Sequence, residues 1–234
     1  MARTKIILAA TLSLLCGNAL LAGDIIGTVH AEPKAGAETS GETGGNNYDS
    51  RKYKFVERVD YAQMRDFVVS IEGPVGTNAP ATNVLAVTTS SVAQKAATFS
   101  PHILPIMVGT TVEWPNNDDI YHNVFSDSDA ARFDLGLYKG NPPEKRVRFN
   151  KPGKVDVYCS IHAAMHCVVL VMDNPYFAIT DADGKFAITN VPPGAYTLKV
   201  WHERMPADEH QIVVPQTGVV KTNLTLTIKN LPAY

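Results

Sequence analysis

The sequence predicts an all-β chain built as a sandwich of short strands with a second, smaller β unit behind it. Three observations carry that expectation. Apolar residues come in short alternating or continuous runs rather than in a helical stripe. Sixteen Gly and 15 Pro punctuate the 234 residues at short intervals, as in turn-rich β proteins. Hydrophobic residues make up 45% and charged residues 19% of the chain, enough apolar material for a real core.

Taken in order, residues 67–71 (FVVSI) read as a strand that Gly73-Pro74 ends. Residues 93–97 are the one stretch with room for a turn or two of helix. Residues 108–114 (VGTTVEW) form a strand stopped by Pro115-Asn116-Asn117-Asp118-Asp119. Residues 145–149 alternate polar and apolar, and Pro152-Gly153 then turns the chain into residues 155–159. In that strand Val155, Val157 and Cys159 share one face, with Asp156 and Tyr158 on the other. Residues 168–171 are an apolar run of the fully buried type. Strands at 177–180, 185–189, 196–201 and 224–228 follow, joined by turns at Asp183-Gly184 and Pro192-Pro193-Gly194.

The N-terminus reads as a secretory signal over residues 1–31. Arg3 and Lys5 precede an apolar run over residues 6–22, with cleavage positions after Ala19 or Ala31. That run is short for a membrane span, which takes about 20 residues. Leu15 stands before Cys16, where a lipoprotein signal has a small residue. The mature protein is therefore expected in the periplasm or secreted, with no membrane span. Residues 32–50 contain no Val, Ile, Leu, Phe or Trp and read as a flexible linker.

Composition excludes other classes. Twenty-one basic against 23 acidic residues give a charge of −2, which leaves no basic excess for nucleic acid. Three cysteines, Cys16, Cys159 and Cys167, are too few for a disulfide scaffold or a four-thiolate metal site. No C-x-x-C-H run exists for haem attachment.

The chemistry concentrates in Cys159-Ser-Ile-His162-Ala-Ala-Met165 and at His122. A strand end followed by a tight loop can bring a thiol, an imidazole and a thioether to one point. With a second imidazole this is the donor set of a blue-copper centre, one thiolate and two imidazoles with a weak axial Met. His122, in a loop after the 108–114 strand, is the candidate for that second imidazole. Zinc is the rival metal for Cys and two His, and Met165 tilts the choice towards copper.

The runs "VGTTVEWPNND…HNV" and "VRFNKPGKVDVYCSIHAAM" resemble the cupredoxins, such as plastocyanin, pseudoazurin and amicyanin, and the C-x2-H-x2-M spacing is similar to amicyanin. The longer run to "PYFAITDADGKFAITNVPPGAYTLKVWHE" resembles a group of bacterial exported proteins, labelled methylamine-utilisation or plastocyanin-like. The resemblance implies a cupredoxin Greek-key sandwich over residues 92–173. It implies one type 1 copper ion on His122, Cys159, His162 and Met165, with Asn123 bracing the ligand loops by hydrogen bonding and His162 nearest the surface. After Met165 the family often has Gly-Lys-Val, where this chain has His166-Cys167-Val168. His166 is thus a competing axial donor, and Cys167 a thiol that could pair with Cys159. Residues 174–234 resemble part of a carboxypeptidase-regulatory-like, transthyretin-like sandwich. Its missing half is expected from residues 53–59 and 68–71, within an N-terminal strand region at 51–91, which would make the copper domain an insertion. The alternative is two domains in tandem.

The function these readings imply is that of an electron carrier, not an enzyme, working as a monomer between redox partner proteins. The alternatives are a periplasmic copper-binding or delivery protein, and a secreted structural sandwich whose site is vestigial or holds zinc. An oxidase or reductase ranks last, because no His-x-His motif is present.

Overall fold

The computed structural model describes residues 22–33, 60–75 and 89–227. The expected strand at 53–59 and most of the expected linker lie outside the described residues. Those described form an almost wholly β structure of two sandwiches, one inserted in the other.

The chain begins in the outer sandwich with β1 (Ala22–Glu32), a single 3-10 turn (Tyr61–Gln63) and β2 (Val68–Glu72). It then builds the inner sandwich from β3 (Thr89–Ser91), β4 (Ala93–Lys95), β5 (Thr98–Ser100), β6 (Ile103–Met107), β7 (Thr111–Glu113), β8 (His122–Ser128), β9 (Ala131–Tyr138), β10 (Arg146–Arg148), β11 (Gly153–Tyr158) and β12 (His166–Met172). It returns to the outer sandwich with β13 (Phe177–Ile179), β14 (Lys185–Val191), β15 (Gly194–His202), β16 (Met205–Val214) and β17 (Thr217–Thr227).

In the inner sandwich a five-stranded sheet, β6-β12-β11-β8-β9, packs on a three-stranded one, β10-β7-β3, with β4 and β5 as a small hairpin. Val112, Trp114 and Phe149 from one side meet Val124, Val155, Val157, Val169 and Val171 from the other in one core. In the outer sandwich the sheets β14-β1-β17 and β13-β2-β15-β16 enclose a second core, with Ile25, Val29, Phe67, Val69, Ile71, Phe186 and Leu198. The chain leaves this sandwich after β2 and re-enters it at β13, and Asn174 ties the crossing. Its amide donates to the carbonyls of Ile71 at 2.7 Å and Gly73 at 3.2 Å.

The two sandwiches meet where β12 is buried on both faces. Cys167, Val169 and Val171 point into the inner core. Val168 and Leu170 pack instead against Ile103 and against Val68, whose neighbours Val69 and Ile71 face the outer core. A strand covered on both sides has no polar face to present, which explains the continuous apolar run at 168–171.

Two expectations need correction. Residues 22–31, read as the end of a leader, form the middle strand of a sheet. β1 pairs in parallel with β17 over its whole length and antiparallel with β14. Its packing is close enough that a Cβ at Gly27 would stand 1.7 Å from the Thr222 carbonyl oxygen, so only glycine fits there. Residues 93–97 are no helix, because Ala96 and Ala97 both take φ of 52° and turn β4 back onto β5. Val68 to Ile71, which the sequence left open between the two arrangements, pair with β13 and β15 of the outer sandwich.

Candidate metal centre

The site is built at one end of the inner sandwich, where β8 begins and β11 gives way to the loop leading to β12. His122 opens β8 rather than lying in a loop, and its side chain is fully buried. Cys159 follows the last residue of β11. The backbone holds the Cys159–Met165 loop closed, since the Cys159 N–H donates to the Met165 carbonyl at 3.2 Å and the Met165 N–H to that of His162 at 3.0 Å.

This closure brings three donors together. Nδ1 of His122 lies 3.0 Å from Nδ1 of His162, and Sγ of Cys159 lies 3.7 Å from the latter. One donor atom from each of the three falls within 4.8 Å of the others. Metal–nitrogen bonds of about 2.0–2.1 Å and metal–sulfur bonds of about 2.3 Å span such separations. Two imidazole nitrogens facing each other can share only one proton, so at least one lone pair is turned inward. Met165 is 1% exposed and sits in the same core cluster as Cys159. The donor set, two imidazoles, a thiol and a neighbouring thioether, suits copper.

The surroundings orient these groups. Nε2 of His122 is 2.8 Å from the Asp118 carboxylate, which leaves Nδ1 free to face the site. Asp118 also accepts from the N–H groups of Ala96 at 2.8 Å and Ala97 at 2.9 Å. These bonds, that from Ala97 first and then the one from His122, hold its carboxyl down at about 2. The Asn123 N–H donates to Cys159 Sγ at 3.4 Å, its side-chain carbonyl accepts from the Ser160 N–H at 3.3 Å, and its amide donates to Asp134 at 2.6 Å. One side chain thus links β8, β9 and the Cys159 loop. Asn123→Ala is expected to weaken copper binding by about 10–100-fold, measured by competition with a chelator. An unchanged affinity would show that the loop holds its shape without it.

Tyr138, Gln94 and Trp114 form a buried layer beneath. The Tyr138 hydroxyl donates to the Trp114 carbonyl at 2.6 Å, the Gln94 amide bonds both groups, and burial pushes the Tyr138 phenol well up. The two residues named as rivals at the site stand elsewhere. His166 lies on the outer face, its Nε2 3.2 Å from Asp156 and its ring stacked on Tyr158 at 4.8 Å. Cys167 is buried opposite Val157 with a free thiol that burial pushes up, and Cys159 is free as well.

Sequence reasoning missed Asp118 and Asp134. A carboxylate four residues before His122 was the available signal for the first. For the second, nothing in the local pattern tied Asp134 to Asn123.

Comparison with known proteins bears on this geometry. Residues 86–172 match the family of copper binding proteins that holds plastocyanin and azurin, and residues 163–222 match domain II of polysaccharide lyase family 4. No curated protein matches the chain in sequence. Among solved structures, a purple cupredoxin from Nitrosopumilus maritimus is 27% identical, with 36% of this chain and 99% of that one covered and a TM-score of 0.30. A copper-containing nitrite reductase from Thermus scotoductus SA-01 is 28% identical over 44% of this chain, at a TM-score of 0.35, and this chain spans 26% of its length. A Cu(I) form of an amicyanin variant is 21% identical, with 44% and 98% of the two chains covered and a TM-score of 0.32. Over residues 86–172 the chain is thus similar to the copper binding proteins of the plastocyanin/azurin family.

Proposed function

We propose that the protein is an exported electron carrier with a single type 1 copper ion held by His122, Cys159, His162 and Met165. The observation that carries this reading is the convergence of the His122 and His162 Nδ1 atoms with Cys159 Sγ, with Met165 buried in the same core cluster as Cys159. Bound copper would supply a one-electron couple. The chain supplies what makes such a couple usable. The Asn123 N–H offsets charge on the Cys159 sulfur, Asp118 fixes the tautomer of His122, and the apolar core behind keeps water away. Both ligand environments are tied to strands, so little needs to move when charge changes.

His162 is half-buried, whereas His122 is fully covered. Exposed Ile161 beside His162 and exposed Tyr121 beside His122 suit the brief, weakly polar contacts by which redox partner proteins dock. A copper-delivery protein would use the same four residues, but delivery calls for donors that an acceptor can reach, and here His122 and Met165 are buried. The N-terminal run points to export, with cleavage after Ala19, because cleavage after Ala31 would remove β1. Among the described residues no helix is long and apolar enough to cross a membrane. The outer sandwich, in our reading of the carboxypeptidase-regulatory-like kind, holds or presents the copper domain, and the protein acts as a monomer without transforming a substrate.

The test is an optical and EPR spectrum of the purified chain after addition of Cu(II). Intense absorption of red light with a narrow copper hyperfine splitting is the expected result. A colourless chain that takes zinc tightly, or no metal, would sink the electron-carrier reading.

A further inference from the structure

A second cluster of donors lies at the seam between the two sandwiches. His102 precedes β6, His166 opens β12, and Glu203 sits in the tight turn between β15 and β16. Residues far apart in the chain, from both sandwiches, thus meet at one place. One donor atom from each lies within 4.8 Å of the others. We propose that His102, His166 and Glu203 bind a divalent transition-metal ion, with zinc as the representative, and that this ion clasps the outer sandwich to the inner one.

The bonds around the cluster support this more than the clustering does. Nδ1 of His102 is 3.1 Å from the His166 carbonyl, a pure acceptor, so this nitrogen carries the hydrogen. Nε2 is therefore the donor atom, and it faces the Glu203 carboxylate at 2.8 and 2.9 Å. Nε2 of His166 faces Asp156 at 3.2 Å, which leaves Nδ1 as its free ring nitrogen. Asp156 is itself paired with Lys154 at 3.0 Å. Metal-binding histidines show this pattern, in which the second ring nitrogen donates to a carbonyl or carboxylate and fixes both tautomer and ring orientation. The two rings stand edge to face with centroids 5.6 Å apart. Two imidazoles and a carboxylate suit zinc, which completes four-coordination with water.

Access is open. The side chains of His102, Glu203 and His166 are 39%, 25% and 28% exposed, enough for an ion to enter and keep a solvent ligand. Beneath them Val68, Ile103, Val168 and Leu170 already hold the sandwiches in contact. A metal would add a crosslink over this apolar seam, anchored on the turn after Trp201. The competing account is an ion pair between His102 and Glu203 with no metal at all.

The experiment is a calorimetric titration of the full chain carrying Cys159→Ala, so that the site at His122 cannot contribute a thiolate, with zinc chloride as the probe. One zinc per chain is expected. Adding His102→Ala or Glu203→Ala should weaken uptake by at least about tenfold, in the range seen when metal-site residues are lost. Zinc should also raise the thermal unfolding midpoint of the Cys159→Ala chain and leave that of the added variants unmoved. Should Cys159→Ala fail to fold, the otherwise unaltered chain serves, where His102→Ala should remove one of two zinc equivalents. Uptake unaffected by either substitution overturns the proposal. So does a midpoint that His102→Ala lowers equally with and without zinc, which is the signature of an ion pair alone. Neither result touches the copper reading, which the visible spectrum tests separately.

Discussion

Cys159→Ser is expected to abolish the red-light absorption of the copper-loaded protein, while Cys167→Ala leaves the band in place. The two thiols lie eight positions apart and both are buried, yet the structure gives them different chemistry. Cys159 sits with His162 Nδ1 3.7 Å from its sulfur, a His122 nitrogen within 4.8 Å and a backbone N–H pointing at it. The thiolate is the form that binds metal and gives the charge-transfer band, and here the sulfur stands among the other donors. Cys167 points into an apolar core opposite Val157, and burial, aided by the negative Asp156, pushes its thiol up. It stays protonated and acts as a small hydrophobic group. Ser in place of Cys159 keeps the size but offers a hydroxyl that does not ionise, so the colour should vanish even if some copper stays on His122 and His162. A band that survives Cys159→Ser and disappears with Cys167→Ala would reverse the assignment and with it the proposed function. Thermal unfolding of both variants separates loss of colour from loss of fold. Removing the Cys167 side chain leaves a cavity in the core, while the exchange at Cys159 changes little volume.

How far the sequence revealed this arrangement depended on how local each contact is. Cys159, His162 and Met165 lie within one loop, so their spacing alone suggested convergence. His122 comes from a different strand, and its role was legible only through the pattern around it. Asp118 was not legible, because its place depends on the Asn116–Ile120 loop folding back. The Asn116 amide bonds the carbonyls of Ile120 at 2.9 Å and Tyr138 at 3.0 Å, and the turn at Ala96 and Ala97 supplies the other partners of Asp118. Strands with a clean alternation or a continuous apolar run, such as β11 and β12, were readable. β8 and β9 were not. Their outward residues are mixed, Gly136 at φ 66° interrupts the second, and a bulge between Asn123 and Phe125 breaks the register. The seam between sandwiches was invisible, since nothing local links His102 to a turn about a hundred residues later.

The strand β1 shows how composition can mislead, and it carries the second large effect. Its residues follow directly on a leader-like apolar run, and two glycines dilute its pattern, so it reads as the end of a signal. In the fold it is a middle strand, hydrogen-bonded to β14 on one side and to β17 on the other. A chain starting at residue 32 is therefore expected to lose the outer sandwich, while a chain starting at residue 20 keeps it. Ile25 and Val29, 0% and 1% exposed, each contribute about 1.5–3 kcal/mol by burial. Every ladder hydrogen bond lost adds roughly 0.5–1.5 kcal/mol. Set against the total stability of a domain, about 5–15 kcal/mol, the loss of one central strand with both its ladders is enough to unfold it. It would also leave β14 and β17 as open edges, which invite aggregation. Far-UV circular dichroism and a thermal melt of the two chains make the comparison. The shorter chain should lose strand signal and melt early or precipitate, and the longer one should unfold cooperatively. N-terminal sequencing of the protein as its own cells produce it gives an independent reading, with cleavage expected after Ala19. If the chain starting at residue 32 melts as the longer one does, β1 is dispensable, and the leader extends to Ala31 after all.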